Sequence, residues 1–320
     1  MNKLTIMTTT TVRSHVPARL SNPRVFLCVL ANASGCVSGR VGAPAVATVC
    51  HPGLSQMFFI SYNSYVYHNA IDMSFCEHCT KGVRHEGTPE GKWEEFDGVK
   101  AYVATPTIDF PKDKAILYIP DVFGVQLPNH QLLADDYARN GFKVIVPDIF
   151  DVPLPPDALN PGSNYDVGTW FGSNGPNVTE PRVRKVLAVL RKNGVTRIGV
   201  LGYCYGARLA FNLAFENAID AVVVAHPSLL NVPEDIEKYA QTKVPLLINS
   251  CTIDEQFPHE KQEKTDAILG DGKFAPGYKR PYWEGCTHGF AVRGDLSDPK
   301  VKAGKEGAFK ESVEWLIKYV

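Results

Sequence analysis

A cysteine in position for covalent chemistry lies between two glycines in the stretch GYCYG, residues 202–206. An apolar run precedes this stretch and an amphipathic helical pattern follows it. That order is typical of a nucleophile elbow, the sharp turn between a strand and a helix that exposes a nucleophilic side chain, here Cys204. Gly202 and Gly206 suit the turn because it crowds the positions on either side of the nucleophile. The alternative is a loop with two glycines beside a buried structural cysteine.

A thiol at such a turn favours a particular chemistry. The N–H groups at the start of the following helix favour a thiolate at Cys204, and the backbone N–H of Tyr205, the residue after the nucleophile, belongs to the oxyanion hole of an elbow. Attack by a thiolate gives a thioester, and thiolate is itself a good leaving group. Lactones, activated esters and thioesters are therefore the substrates that suit it, and the pattern predicts a cysteine-nucleophile hydrolase.

An elbow also needs an acid and then a histidine later in the chain, each just after a strand. Asp254 follows the apolar run LLINS, and His288 follows YWEGCT. Taken singly, Asp254 is explained equally well as a helix cap and His288 as a polar loop residue. Their order and their positions behind strands together favour a Cys204–His288–Asp254 triad. A non-catalytic receptor for small molecules on the same scaffold is the alternative, although such a receptor should have lost a triad member.

The elements that must position these residues follow from the alternation of apolar runs with amphipathic patterns. Asp97-Gly98 predicts the turn of a hairpin that precedes them. The sequence predicts strands at residues 115–119, 143–147, 197–202, 221–225, 245–250 and 279–283, and helices at residues 129–140, 181–193, 207–217, 258–269 and 306–319. Continuous apolar strands that alternate with helices indicate an α/β fold, with a mostly parallel central sheet and helices on both faces.

The first 72 residues have a different character from the rest. They contain no acidic residue before Asp72, are rich in serine and threonine, and show no clear period. We expect residues 1–72 to be an N-terminal extension outside the fold, and residues 73–320 to form the domain. The extension is open to three explanations: sequence upstream of a true start at Met73, a transit peptide, or a disordered segment. A cytoplasmic location is predicted, or a mitochondrial one if the extension is a transit peptide.

Composition narrows the classes of partner. The net charge of −1 disfavours nucleic acid and anionic membranes, and no apolar run approaches the ~18 residues of a membrane span. Eight cysteines are too sparse for a disulfide scaffold. Cys76 and Cys79, with His78 and His85, resemble half of a zinc site, but no second ligand pair follows at the expected spacing. We therefore predict no metal and no other cofactor, a small-molecule ester or lactone as partner, and a monomer or homodimer.

Several motifs together resemble the dienelactone hydrolase family of α/β-hydrolases. They are DVFGV (121–125), VPDIF (146–150), GYCYGARLAF (202–211), IDEQFP (253–258) and THGFAVRG (287–294). The resemblance extends over residues 76–320, and the motifs HPS (226–228) and HGFAVRGD (288–295) look more like its fungal branch than its bacterial one. It implies the α/β-hydrolase fold, the same triad, and carboxymethylenebutenolidase-like hydrolysis of carboxylic esters. It also implies that the backbone N–H of Val122 joins that of Tyr205 in the oxyanion hole.

The resemblance and the sequence also suggest residues around the nucleophile. Asp121 stands where bacterial members carry a glutamate that contacts the resting thiol, and Arg293 lies one residue from the position of an arginine that holds the substrate carboxylate. Residues 165–175 form an aromatic, glycine-bearing loop, in which Trp170 would contact a cyclic ligand or only pack the loop down. Phe123 and Phe290, within two of the motifs, are further candidates for substrate contact.

Overall fold

The computed structural model describes residues 83–84, 86–160 and 162–320, so the predicted extension and the half zinc site lie outside the described residues. A nine-stranded sheet runs through this part of the chain, in the order β1-β2-β4-β3-β5-β6-β7-β8, with β9 also paired to β7. The strands are β1 (Lys92–Phe96), β2 (Val99–Ala104), β3 (Lys114–Ile119), β4 (Val144–Pro147), β5 (Arg197–Tyr203), β6 (Ala221–Ala225), β7 (Leu246–Ile253), β8 (Tyr278–Lys279) and β9 (Tyr282–Thr287).

The direction of the strands agrees with the prediction of a mostly parallel sheet. β2 is antiparallel to β1 and to β4, and the other pairs, from β3–β4 to β7–β9, are parallel. The hairpin turn between β1 and β2 is at Asp97-Gly98 as predicted, and both residues have a positive φ. Parallel pairing places the carboxyl ends of β3, β5, β6 and β7 at one edge of the sheet, where ligands bind in open α/β folds.

Helices cover both faces of the sheet. They are α1 (Pro128–Arg139), α2 (Val167–Asn174), α3 (Pro176–Lys192), α4 (Tyr205–Phe215), α5 (Glu234–Tyr239), α6 (His259–Leu269), α7 (Phe290–Arg293) and α8 (Pro299–Tyr319). Side chains of α3, α4, α5 and α6 share one apolar core with the sheet, and those of α1, α7 and α8 share the other. Neighbouring residues of β3, Leu117 and Tyr118, point into opposite cores. The α/β prediction is therefore confirmed, and no described helix is long and apolar enough to cross a membrane.

Some predicted boundaries were wrong. α3 begins at Pro176 rather than at Pro181, which lies inside the helix. The strand predicted at residues 279–283 is two short strands, β8 and β9. Residues 165–175 are mostly the helix α2 rather than a loop, because the Asp166 side chain accepts the Thr169 N–H at 2.9 Å and caps its start.

The segment that precedes β1 is held to α1 by charged side chains. Arg84 Nε lies 2.7 Å from Asp136 Oδ1, and Arg84 also pairs with Glu90. The N–H of Glu90 donates to Asp135 Oδ2 at 2.7 Å, and the Tyr102 hydroxyl donates to the same carboxylate. Asp135 and Asp136 are both buried, so these contacts satisfy charges that α1 carries into the interior.

Candidate active site

Cys204 lies at the turn between β5 and α4, with φ 49° and ψ −110°. Its N–H donates to the carbonyl of Ala225 at 3.1 Å, which continues the ladder between β5 and β6. Few residues other than glycine adopt such a φ, and it is found where the surrounding structure fixes it. The flanking glycines have a steric reason. A Cβ on Gly206 would collide with the carbonyl of Ile119, and one on Gly202 would lie 2.8 Å from the carbonyl oxygen of Gly206.

The structure brings His288 and Asp254 to this turn. His288 Nδ1 lies 2.8 Å from Asp254 Oδ1, and the His288 side chain lines the same cavity as Cys204. Asp254 follows β7 and is held by the N–H groups of Gln256 and Phe257, at 2.9 and 3.0 Å from its Oδ1. The structure therefore brings the thiol, the imidazole and a buried carboxylate together, with the imidazole hydrogen-bonded to the carboxylate.

His288 carries a proton more firmly than an ordinary histidine. Burial lowers its pKa, but the hydrogen bonds to Asp254 and to Cys204, together with the charges of both groups, outweigh burial and raise the pKa of His288 to about 10. An imidazolium beside the thiol is therefore the favoured form at neutral pH. Part of the rise in the pKa of His288 comes from Cys204, so this pKa changes whenever the charge on the sulfur changes.

Ser228 is a neighbour of the nucleophile that sequence analysis missed. Its Oγ lies 3.2 Å from Cys204 Sγ, and its N–H donates to the Cys204 carbonyl at 3.1 Å. The turn after β6 that carries it is tightly constrained, since His226 and Leu229 both have a positive φ, of 39° and 62°. The HPS motif was the available signal, but the sequence does not reveal that its serine faces the thiol.

His226 packs against His288 from below. Its ring centroid lies 4.9 Å from that of His288, in an edge-to-face arrangement. Burial, and after it the nearby His288, lower the pKa of His226 well below its usual range. Neither of its ring nitrogens has a hydrogen-bond partner among the residues described. His226 therefore supports the His288 ring as a neutral group and adds no positive charge beside it.

Asp121 is engaged by groups other than the thiol. Its Oδ1 lies 2.9 Å from His130 Nε2 and accepts the Phe123 N–H at 2.9 Å, and its Oδ2 lies 3.1 Å from Arg293 Nε. Burial opposes its charge, but His130, Arg293 and the Phe123 N–H lower the pKa of Asp121 below its usual range. These contacts form an ion-pair network that fixes the turn after β3.

His130 is the second residue that sequence analysis missed, since its place at a helix start gave no sign of a buried role. Its Nδ1 lies 2.6 Å from the Tyr118 hydroxyl, and the ring is fully buried. The turn that His130 and Asp121 fix carries Val122. Val122 and Tyr205 both line the cavity above Cys204, as the predicted oxyanion hole requires.

Two of the predicted substrate contacts were wrong. Phe123 is buried, with the Arg293 guanidinium carbon 4.2 Å from its ring centroid, and Phe290 is buried against His226, with ring centroids 5.7 Å apart. Neither lines the cavity, because both side chains pack into the layers beneath it. Trp170 and Arg293 do line the cavity, as predicted.

A cavity of about 570 Å³ opens over the thiol. One wall is apolar and is formed by α2 and the segment that precedes it. The opposite wall is polar and surrounds His288. No group of three or more metal-binding side chains occurs in the described part of the chain. The arrangement places a thiol and a histidine that is paired with a buried carboxylate beside a space that is large enough for an organic ester.

Comparisons with known proteins agree with this geometry. The model of the dienelactone hydrolase family matches residues 99–320. The chain is 32% identical over 244 residues to hydrolase pyvD of Aspergillus violaceofuscus, which covers 76% of this chain and 96% of that protein. It is 30% identical over 247 residues to dienlactone hydrolase 1 of Gibberella moniliformis, with 74% and 91% covered.

A mammalian relative and a solved structure extend the comparison. The chain is 30% identical over 251 residues to the carboxymethylenebutenolidase homolog of Mus musculus, with 76% of this chain and 96% of that protein covered. A dienelactone hydrolase-like promiscuous phosphotriesterase from metagenomic libraries has the same fold, with a TM-score of 0.53 at 15% identity over 69% of this chain and 93% of that one. The chain therefore belongs to the dienelactone hydrolase family, as a carboxylic ester hydrolase with the α/β-hydrolase fold.

Proposed function

We propose that this protein hydrolyses a lactone or an activated ester through a thioester on Cys204, with His288 and Asp254 as the other members of the triad. The observation that carries the proposal is that His288, hydrogen-bonded to the buried Asp254, shares one cavity with Cys204, which lies at the apex of a strained elbow. The names of the relatives, dienlactone hydrolase and carboxymethylenebutenolidase homolog, support the substrate class.

The first half of the reaction forms the thioester. The Cys204 sulfur attacks the carbonyl carbon, and the backbone N–H groups of Val122 and Tyr205 hold the resulting oxyanion. When the carbonyl re-forms, the bond from carbon to the leaving oxygen breaks, and the leaving oxygen takes the proton of His288. In a lactone, this oxygen stays attached to the acyl chain as a hydroxyl group or, from an enol lactone, as a ketone after rearrangement.

The second half uses the same histidine in the opposite sense. A thioester sulfur carries no charge and gives up the thiol that raised the pKa of His288, so acylation weakens the hold of His288 on a proton. Neutral His288 then accepts a proton from water, which attacks the thioester carbon. The carbon–sulfur bond breaks, the carboxylic acid leaves, and Cys204 returns as a thiolate beside the imidazolium.

Ser228 and Asp121 support these steps without taking part in bond changes. The Ser228 hydroxyl, 3.2 Å from the sulfur, donates to the thiolate form of Cys204 and keeps the sulfur aligned. Asp121 accepts the Phe123 N–H and so orients the turn that presents Val122 to the oxyanion. We assign both as positioning residues.

The test is to trap the acyl-enzyme. Mixing the protein with p-nitrophenyl acetate should release a burst of p-nitrophenol, and mass spectrometry should find one acetyl group on the peptide that contains Cys204. Cys204→Ala should abolish both signals. Cys286→Ala is the matched control, because Cys286 is a buried thiol outside the triad, and it should retain both.

Two outcomes would contradict the proposal. If the acetyl group were found on Ser228, or if Cys204→Ala still hydrolysed the ester, the nucleophile would be another residue. A non-catalytic receptor would bind the ester without releasing p-nitrophenol, and that result would favour the alternative function.

A further inference from the structure

The cavity over Cys204 has two unlike walls, and the difference concerns the two ends of a substrate. The apolar wall contains Leu154, Leu159, Val167, Trp170 and Phe171. The lining residues near His288 and Asp254 are mostly polar, namely Glu255, Gln256, Thr287 and Arg293, with Ile253 as the apolar member. An ester presents an acyl end and a leaving end on the two sides of its carbonyl carbon. The question is which end meets which wall.

The leaving end is placed by His288. In the proposed reaction, His288 gives its proton to the leaving oxygen, so the leaving group must lie on the polar side. The apolar wall adjoins the proposed oxyanion residues instead. The ring of Phe171 lies 6.2 Å from that of Tyr205, and the Leu154 N–H donates to the Val122 carbonyl at 2.9 Å. An acyl group bound with its oxyanion at Val122 and Tyr205 therefore extends along the apolar wall.

The apolar wall continues to the surface as exposed side chains. Leu159 in this wall is 53% exposed, and Val152, which is hydrogen-bonded to Trp170, is 63% exposed; Ile253, which also lines the cavity, is 61% exposed. Large apolar side chains clustered at the mouth of a cavity indicate a ligand surface, since the folded chain gains nothing from leaving them in water. Trp170 is held in this wall by its indole N–H, which donates to the Val152 carbonyl at 2.7 Å.

The volume of the cavity and the charged residues that line it both indicate the kind of acyl group that it binds. The cavity of about 570 Å³ lies within the range of ligand pockets and exceeds what a short acyl chain fills. Arg293 is the one arginine or lysine among the described lining residues, and its Nε is engaged with Asp121. We propose that the acyl part of the substrate is a bulky aromatic or polycyclic group that packs on the α2 wall. This inference rests on the proposed function.

The test compares esters that differ only in where a ring is attached. p-Nitrophenyl propionate, 3-phenylpropionate and 3-(2-naphthyl)propionate have similar carbonyl reactivity and one leaving group. We expect kcat/KM to rise about 10- to 100-fold from the first to the last, because each ring is buried against the wall. Phenyl acetate and 2-naphthyl acetate carry the ring on the leaving side, and their kcat/KM values should differ by less than about 3-fold.

Variants locate the effect. Leu159→Asn and Phe171→Ala should each lower the ratio of kcat/KM between the naphthylpropionate and the propionate by about 3- to 10-fold. Leu159 is half exposed, so its replacement is compatible with the fold. Trp93→Ser is the matched control, because Trp93 is a comparably exposed apolar residue, at 43%, on the edge strand β1, and it should keep the ratio of the native protein.

The outcomes separate this inference from the proposed function. If none of the p-nitrophenyl esters is hydrolysed, the proposed function fails. If the propionate is hydrolysed as fast as its aryl derivatives, or if the preference follows the ring on the leaving side, the inference about the acyl wall is overturned while the hydrolase activity stands. The same holds if neither Leu159→Asn nor Phe171→Ala lowers the ratio.

Discussion

The reactivity of Cys204 depends on three side chains that surround it in different ways. Ser228 offers a hydroxyl to the sulfur, His288 offers a charged imidazole, and His226 supports that imidazole while staying neutral. A second positive charge at His226 would compete with the proton on His288. Its burial prevents this, so of the two histidines only His288 carries a proton over the neutral range.

The rate of acylation should depend on pH through His288. Its pKa is raised to about 10, so His288 holds the proton for the leaving oxygen below that pH and loses it above. For an alkyl ester, whose alkoxide needs that proton, the acylation rate should fall as pH rises through about 10. A p-nitrophenyl ester releases p-nitrophenolate, a stable anion that needs no proton, so its acylation rate should fall much less. Rapid mixing from about pH 8 to about pH 11 would measure both rates.

Alkaline unfolding would also lower the acylation rate, so the experiment includes a control for it. It would slow both esters together, and the unfolding temperature measured at each pH would reveal it. A rate for the alkyl ester that increases through pH 10 would show that His288 does not protonate the leaving group.

The residues proposed as the triad could be singled out from the sequence because the elbow motif is local and its partners follow strands in a fixed order. Ser228 and His130 were not predictable in the same way. Ser228 reaches Cys204 across 24 residues and a different strand, and His130 reaches Asp121 from a helix. Phe123 and Phe290 were misassigned because a motif gives the place of an aromatic residue in the chain, but not the layer into which its ring packs.

At the scale of elements, the site depends on how closely α4 approaches β3. The backbone of Gly206 touches the carbonyls of Ile119 and Pro120, just before the turn that carries Val122. The two backbone donors proposed for the oxyanion therefore belong to segments in direct contact. Their separation is set by the absence of a side chain at this position.

Gly206→Ala should destabilise the fold and reduce activity. Its Cβ would meet backbone atoms that have no side-chain freedom to move away, so α4 must shift, at a cost of about 1–3 kcal/mol in the free energy of unfolding. Gly172→Ala in α2 is the matched control. No atom lies within 4 Å of a Cβ there, and alanine should stabilise that helix by about 0.5–1 kcal/mol.

Urea unfolding and kcat/KM for a p-nitrophenyl ester would measure both effects. A Gly206→Ala protein that is as stable and active as the native one would mean that the close approach of α4 and β3 is not required.

The order and type of most elements could be predicted because buried parallel strands are continuous apolar runs. α2 could not, since Gly168 and Gly172 lower its helix propensity and the interactions that hold it are tertiary ones, such as the packing of Trp170 on Phe150 at 5.2 Å between ring centroids. The start of α3 was misplaced because two prolines, Pro176 and Pro181, give the same signal for a helix start.

The sequence predicts that the domain is formed by residues 73–320, after the N-terminal extension. The sheet, both cores and every proposed site residue lie between Val83 and Val320. We therefore expect a chain that starts at Met73 to fold and to hydrolyse esters as the full chain does. Such a chain must retain Arg84 and Glu90, because the Arg84 guanidinium and the Glu90 N–H are hydrogen-bond partners of buried carboxylates of α1.

A chain that starts at Lys92 should be less stable than one that starts at Met73. It would lose the partners that Arg84 and Glu90 give to Asp136 and Asp135, although Asp136 would keep Arg139. Loss of a charged hydrogen bond at a buried group costs about 1–3 kcal/mol. Thermal unfolding of the two chains, with Arg84→Ala in the longer one, would test this. Failure of the Met73 chain to fold would show that the earlier residues belong to the domain.

The position of Trp170 has an optical consequence. The chain has four tryptophans, and Trp170 is the one in the cavity wall, fixed by its bond to Val152. An acyl group seated on that wall would contact its ring and change the intensity of its emission, while Trp93 on the outer strand would be unaffected. The protein thus carries an intrinsic fluorescent reporter of its acylated state, so a turnover with a colourless natural ester would be visible as a transient change in its own emission.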